Sequence, residues 1–192
     1  MSTEKQVVHP EVVDQPENWE TLNREVQASG RVQNFIEDAI ATPDGQTMVR
    51  QWVGHPGAVA VMAMDDRGRI AVVHQYRHPV GYRLVEPPAG ILDIDGEPAV
   101  EAAKRELAEE AELAASDWRT LVDIFTSPGG LQESIRIFVA RGLSTAPLPD
   151  GFEVEGEETD MGLYWLPLDQ LVEMIYAGHV QSPTMVSGTW LL

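Results

Sequence analysis

The sequence predicts an α/β fold: a mixed β-sheet in an α/β/α sandwich with an N-terminal β-hairpin extension. Three observations lead there. Short apolar runs and alternations, separated by turn residues, recur along most of the chain; one strongly amphipathic helix lies between Pro98 and Ala114; and a second helical stretch follows near Asp169. Strands interleaved with flanking helices bury their apolar faces most simply as a layered sheet. A chain of 192 residues with 43% hydrophobic content suits one compact domain with appendages.

The elements follow in order. The first 25 or so residues are polar and hold Pro10 and Pro16, so they read as an irregular lead-in. Val32 to Ile40, a turn at Pro43-Asp44-Gly45, and Met48 to Val53 read as a hairpin. This divides the chain into a lead-in and antiparallel hairpin over 1–54 and a main domain over 55–192. Ala58 to Met64 and Ile70 to Tyr76, parted by Asp65-Asp66-Arg67-Gly68, read as a second hairpin, and Leu84 to Glu86 as a short strand stopped by Pro87-Pro88. In the helix, Pro98 suits the first turn, and Val100, Ala103, Leu107, Ala111 and Ala114 form one apolar stripe. Strands are expected at Thr120 to Phe125, Ser134 to Ala140 and Leu163 to Leu166, with a Pro-, Gly- and Glu-rich loop from Gly142 to Asp160 between the last two. Helices are expected over Asp169 to Ala177, closed by Gly178, and from Pro183 toward Leu192.

Composition excludes several functions. With 31 acidic and 13 basic residues the formal net charge is −18, and no basic stripe exists to neutralise a nucleic-acid backbone. Without cysteine there is no disulfide, thiolate metal site or cysteine nucleophile, so a bound metal must be held by oxygen or imidazole, which favours hard cations. No apolar run approaches the ~18 residues of a membrane span, and the N-terminus has no signal-peptide core, so a cytoplasmic protein is expected. Ser127 and Ser134 lack the Gly-x-Ser-x-Gly setting of a serine nucleophile. Tyr76 is read as a packing residue.

The informative stretch runs from Gly90 to Leu113. On a helix Glu106, Glu109 and Glu110 fall within about 100° of arc, away from the centre of the apolar stripe. Glu106 and Glu110 stand at i and i+4, where like charges repel unless something positive lies between them. A divalent cation would remove that repulsion, and oxygen ligands on one rigid face suit Mg²⁺, with Mn²⁺ as an alternative. A solvated acidic helix face is the rival explanation.

The full pattern decides between them. Gly90, Glu97, Arg105, Glu106, Leu107, Glu109, Glu110 and Leu113 resemble the Nudix box, with six residues rather than five between Gly90 and Glu97, and Glu112 in the usual glycine position. The resemblance implies a Nudix fold and hydrolysis of a nucleoside diphosphate derivative. It makes Glu106 and Glu110 the main metal ligands, Glu109 a further ligand or water-orienting base, the Ala89 carbonyl a ligand, and Glu97 the partner of Arg105 that locks loop to helix. Gly90 would be structural.

Outside the box, Val49-Arg50, Gln75-Tyr76-Arg77-His78, Leu84 to Gly90, Ser127-Pro128-Gly129-Gly130 and Glu155-Gly156-Glu157-Glu158 are similar to the bacterial ADP-ribose pyrophosphatase family. That similarity implies hydrolysis of ADP-ribose to AMP and ribose 5-phosphate. By it, Arg77 grips phosphate or the terminal ribose, Glu86 binds near the ribose, and Gly129 and Glu133 line the substrate. Arg50 would arrive from the partner of a homodimer whose N-terminal hairpins exchange, with Gln51 beside it where a glutamate is usual. Glu157, with Glu155 and Glu158 as rivals, would approach the metals from its loop as ligand or general base. Another nucleoside diphosphate sugar such as GDP-mannose is the alternative substrate, and a non-catalytic nucleotide-sensing domain the alternative class.

Overall fold

The computed structural model describes residues 12–148 and 160–192. Three sheets are formed by the described residues. β1 (Thr21–Ser29), β2 (Asn34–Ala41) and β3 (Thr47–Gly54) form an antiparallel sheet of their own. β4 (Ala58–Ala63) lies at the centre of a second sheet between β7 (Ala89–Ile91), antiparallel to it, and β9 (Ser134–Thr145), parallel to it; β8 (Leu113–Phe125) completes the edge. β5 (Arg69–Arg77) lies between β6 (Tyr82–Glu86) and β10 (Gly162–Pro167), antiparallel to both.

The layering follows from β4. All six of its residues are buried, and its side chains alternate between two apolar clusters. Ala58, Ala60 and Met62 pack with Leu171 of α2 (Leu168–Tyr176) and Met185 of α3 (Pro183–Trp190). Val59, Val61 and Ala63 pack with Ala102, Ala103, Leu107 and Ala111 of α1 (Ala99–Ala111). A strand covered on both faces reads as a continuous apolar run, as Ala58 to Met64 does. The expected α/β/α arrangement is therefore present, and no helix among the described residues is long and apolar enough to cross a membrane.

Apart from strand bounds, where β8 starts at Leu113 rather than Thr120 and β9 runs to Thr145 past the loop start expected at Gly142, four expectations need correction. The lead-in is not irregular to residue 25, because β1 begins at Thr21; every residue of β1 is exposed, so no alternation betrays it. Pairing with β2 holds it, and Arg24 grips Asp38 with two bonds of 2.8 Å while the Trp52 indole N–H donates to the same carboxylate at 3.0 Å. Second, β4 and β5 do not form a hairpin. Both edges of β4 are already taken by β7 and β9, leaving a single bridge between Met64 and Ile70 before the strands part into different sheets. Third, Tyr76 is 39% exposed rather than packed in the core.

Fourth, α1 stops at Ala111, and Ala114 belongs to β8. Glu112 caps the helix in the left-handed region, with φ 52° and ψ 37°, and its N–H bonds back to the Ala108 carbonyl. A Cβ in that conformation costs on the order of 1 kcal/mol relative to glycine. Glu112→Gly should therefore raise the melting temperature by about 2–4 °C. A melting curve that is unchanged or shifted downward would show that local hydrogen bonding has relaxed the strain.

Candidate functional site

The apolar stripe of α1 fixes its carboxylates. With Ala102, Ala103, Leu107 and Ala111 turned into the core, Glu106, Glu109 and Glu110 must emerge together along the flank that meets β7. They are not freely solvated: the Glu106 side chain is 12% exposed and that of Glu109 16%. Gly90 passes directly over Glu106, and a Cβ at this position would overlap the Glu106 carboxyl. Glu110 accepts the Ala89 N–H at 2.9 Å, which ties α1 to β7.

Arg105 lies among these acids. Its guanidinium reaches Glu97 at 3.2 and 3.4 Å, Glu106 at 2.6 Å and Glu109 at 3.1 Å. Loop and helix are thus joined by one cation serving three carboxylates. Burial pushes the Glu106 carboxyl up to about 6, Arg105 opposes that rise, and the neighbouring Glu109 and Asp93 charges reinforce it.

Because the folded value exceeds the ordinary 4.5, folding favours the protonated acid. Glu106 therefore contributes most to stability below pH 4.5, and that contribution, about 2 kcal/mol, is lost as pH rises through about 6. In metal-free protein Glu106→Gln should remove this slope and raise the melting temperature above pH 6. Identical pH–melting profiles for the two proteins would contradict it.

A divalent cation suits the donor set. Glu106 and Glu110 offer carboxylate oxygens on one rigid helix flank, the ligand type that a hard cation takes. Among the described residues no three acids or imidazoles already converge on one point, because Arg105 is the positive charge about which Glu106 and Glu109 are drawn. Glu157 and its rivals Glu155 and Glu158 lie outside the described residues.

Two cavities are lined in part by β7, the strand this carboxylate flank meets. One, of about 470 Å³, is bounded by Ala89 and Gly90 and receives Arg77, Glu86 and Glu133. Arg77 donates to Glu86 at 2.8 Å, so these two residues arrive as a pair. Glu133 accepts the Thr126 hydroxyl at 2.6 Å and faces His55 at 3.7 Å. The other cavity, of about 680 Å³, lies between the first sheet and the loop after β7 and includes Arg24, Trp52 and Asp93.

Not every expected site residue gathers here. Arg50 and Gln51 sit exposed on β3 outside both cavities, Gln51 bonding to Glu37 at 2.7 Å. Gly129 lies in the turn after β8, also outside them. Conversely, His55 and Thr126 were not singled out from sequence. The parallel register of β4 and β9, pairing Ala58 with Ile135, brings His55 beside Glu133, and β8 returns Thr126 to the same end. No local spacing carries such a meeting.

Comparison with known proteins places the chain. A family model described as NUDIX domain matches residues 54–185. The ADP-ribose pyrophosphatase of Mycobacterium tuberculosis (strain ATCC 25618 / H37Rv) is 40% identical over 171 residues, 89% of this chain and 81% of the relative. The methanol dehydrogenase activator of Bacillus methanolicus is 37% identical over 172 residues, 89% of this chain and 91% of that one. A solved structure of an ADP compounds hydrolase shares the fold, with a TM-score of 0.76 at 22% identity, covering 93% of this chain and 94% of that chain. With its box folded as one helix flank against β7 and the family match spanning most of its length, the chain belongs to the NUDIX domain family.

Proposed function

We propose that the protein hydrolyses the diphosphate of ADP-ribose to AMP and ribose 5-phosphate, using Mg²⁺, with Mn²⁺ as a substitute, in the cytoplasm. The observation that carries this reading is the place of Glu106 against Gly90 and of Glu110 against Ala89, two backbone positions that also line the cavity of about 470 Å³. The relative from M. tuberculosis named for that activity supports the choice of substrate.

Glu106, Glu110, Glu109 and the Ala89 carbonyl would hold the cation, with Glu157 from its loop. Bound there, it supplies charge neutralisation at the diphosphate and acidifies water. The protein's own groups do the rest. Glu97 and Arg105 keep the loop and the helix acids in register, while Arg77, set by Glu86, meets the phosphate or the sugar beside it. Water forms a bond to one phosphorus, the bridging P–O bond breaks, and the other phosphate departs with the bridging oxygen. The proton passes to a carboxylate, assigned to Glu157 or Glu109.

Turnover of a panel of nucleoside diphosphate sugars, with and without EDTA, tests the reading. ADP-ribose should be preferred and EDTA should abolish activity. Equal or better turnover of GDP-mannose would displace ADP-ribose, and no turnover of any member with Mg²⁺ or Mn²⁺ would favour a nucleotide sensor.

The active form is proposed to be a homodimer in which the hairpin unit ending near residue 54 exchanges and Arg50 enters the partner's site. Leu22, Val26, Phe35 and Val49 of the first sheet are exposed, and Arg50 misses both cavities of its own chain, which supports this. Arg50→Ala and Glu110→Gln subunits, each inactive, should regain activity when mixed. Verified heterodimers that stay inactive would return Arg50 to its own subunit's site or remove it from catalysis.

A further inference from the structure

Among the described residues the buried polar side chains are Asp38, Gln75, Glu86, Ser182, Thr184 and Thr189. Asp38 is held by Arg24 and Trp52, Glu86 by Arg77 and Ser182 by Thr184, while the Thr189 hydroxyl reaches the Met185 sulfur. Gln75 is 5% exposed, and among the described residues its side chain has no hydrogen-bond partner. Since no fully sealed side-chain polar atom among these residues lacks a partner, the little surface that Gln75 keeps includes its amide nitrogen and oxygen. An apolar side chain would serve better at a position that is only packed, because a buried amide that loses water without replacement costs stability.

The pleat of β5 gives this amide its place. Ala71, Val73, Gln75 and Arg77 share one face; Ala71 packs with Ala103 and Leu107 of α1, while Arg77 enters the cavity of about 470 Å³. The register brings β6 to the same face, setting Leu84 opposite Gln75 and Glu86 opposite Val73, and both β6 residues line that cavity. Gln75 therefore lies between the helix that carries Glu106, Glu109 and Glu110 and the arginine set by Glu86. A diphosphate that joins a cation on α1 to a group met by Arg77 has to cross this stretch of the face. The amide suits it, because an anionic oxygen accepts from N–H, and a neutral donor is not drawn into the surrounding carboxylates as Arg105 and Arg77 are.

We propose that Gln75 is a substrate-binding residue whose side-chain amide donates to an oxygen of the diphosphate. The inference rests on the hydrolase reading above and adds to it a contact made by a neutral group.

Gln75→Met in the full-length protein tests it, since methionine keeps the length of the side chain and removes the amide. The kcat/KM for ADP-ribose should fall about 10- to 100-fold, the effect of one lost hydrogen bond to a charged group. Inhibition by ADP, which carries the diphosphate without the second sugar, should weaken by a similar factor, and inhibition by adenosine should stay as in the wild type. Mg²⁺ affinity without substrate, measured by calorimetry, should be unchanged, and the melting temperature of the metal-free protein should hold or rise. Gln75→Glu, which sets a charge against the phosphate, should lose more turnover than Gln75→Met. Should Gln75→Met fail to fold, Gln75→Leu gives the same comparison. A lower melting temperature with wild-type kcat/KM would make the amide a structural group, and weakened Mg²⁺ binding would assign it to the cation. Unchanged inhibition by ADP would assign it to the second sugar, and inhibition by adenosine weakened as much as that by ADP would assign it to the nucleoside. Each of these outcomes overturns the proposal while leaving the hydrolase reading intact. A wild-type protein that turns over no nucleoside diphosphate sugar would overturn both.

Discussion

Glu110→Gln is expected to lower turnover of ADP-ribose by about a thousandfold while the fold persists, since loss of one charged ligand forfeits several kcal/mol of charge stabilisation at the diphosphate. The fold should survive because the glutamine carbonyl can still accept the Ala89 N–H that Glu110 now takes at 2.9 Å. One of the two like charges at i and i+4 also disappears, so the melting temperature of the metal-free protein should hold or rise by an amount worth a few tenths of a kcal/mol. Circular dichroism and a melting curve beside the kinetics separate these effects. Near-normal turnover at saturating Mg²⁺ would return the cluster to the status of a solvated helix face.

The acids of α1 were legible in the sequence because helical geometry is local. The positions of Leu107 and Ala111 in the core decide where Glu106 and Glu110 emerge, and spacing alone reveals both sets. β4 was legible for a related reason, since a strand buried on two faces is an unbroken apolar run. What escaped is what distant pairing decides. β1 has no buried face to give it a period, and Arg24 meets Asp38 only after β1 and β2 align. The separation of β4 from β5 depends on β9, more than 70 residues later, claiming the edge that a hairpin partner would use. His55, Thr126 and Thr184 reach one cavity from three parts of the chain for the same kind of reason.

Gly90 shows how far a single residue of the box can be taken once its surroundings are known. The resemblance to the box implies a structural role for it. In the folded chain its missing Cβ is what leaves room for the Glu106 carboxyl, at the point where β7 crosses α1. An added methyl would meet the end of a flexible side chain rather than backbone, and β7 has only to keep its short pairing with β4, so Gly90→Ala should fold with a modest loss of stability. Function should fare much worse. The displaced Glu106 carboxyl would leave its place beside Arg105, and any ligand set including it would be broken by a substitution that changes no charge and no ligand. Turnover is expected to fall at least about 100-fold, on the scale of removing a placed electrostatic group, and Mg²⁺ titration by calorimetry should show weakened binding. The pH-dependence of metal-free stability should flatten as well, because a Glu106 pushed toward solvent no longer carries a raised pKa. Gly90→Ala with wild-type turnover and wild-type Mg²⁺ affinity would show that Glu106 is dispensable to the site, and the assignment of the cation would then have to rest on Glu109, Glu110 and the loop acids.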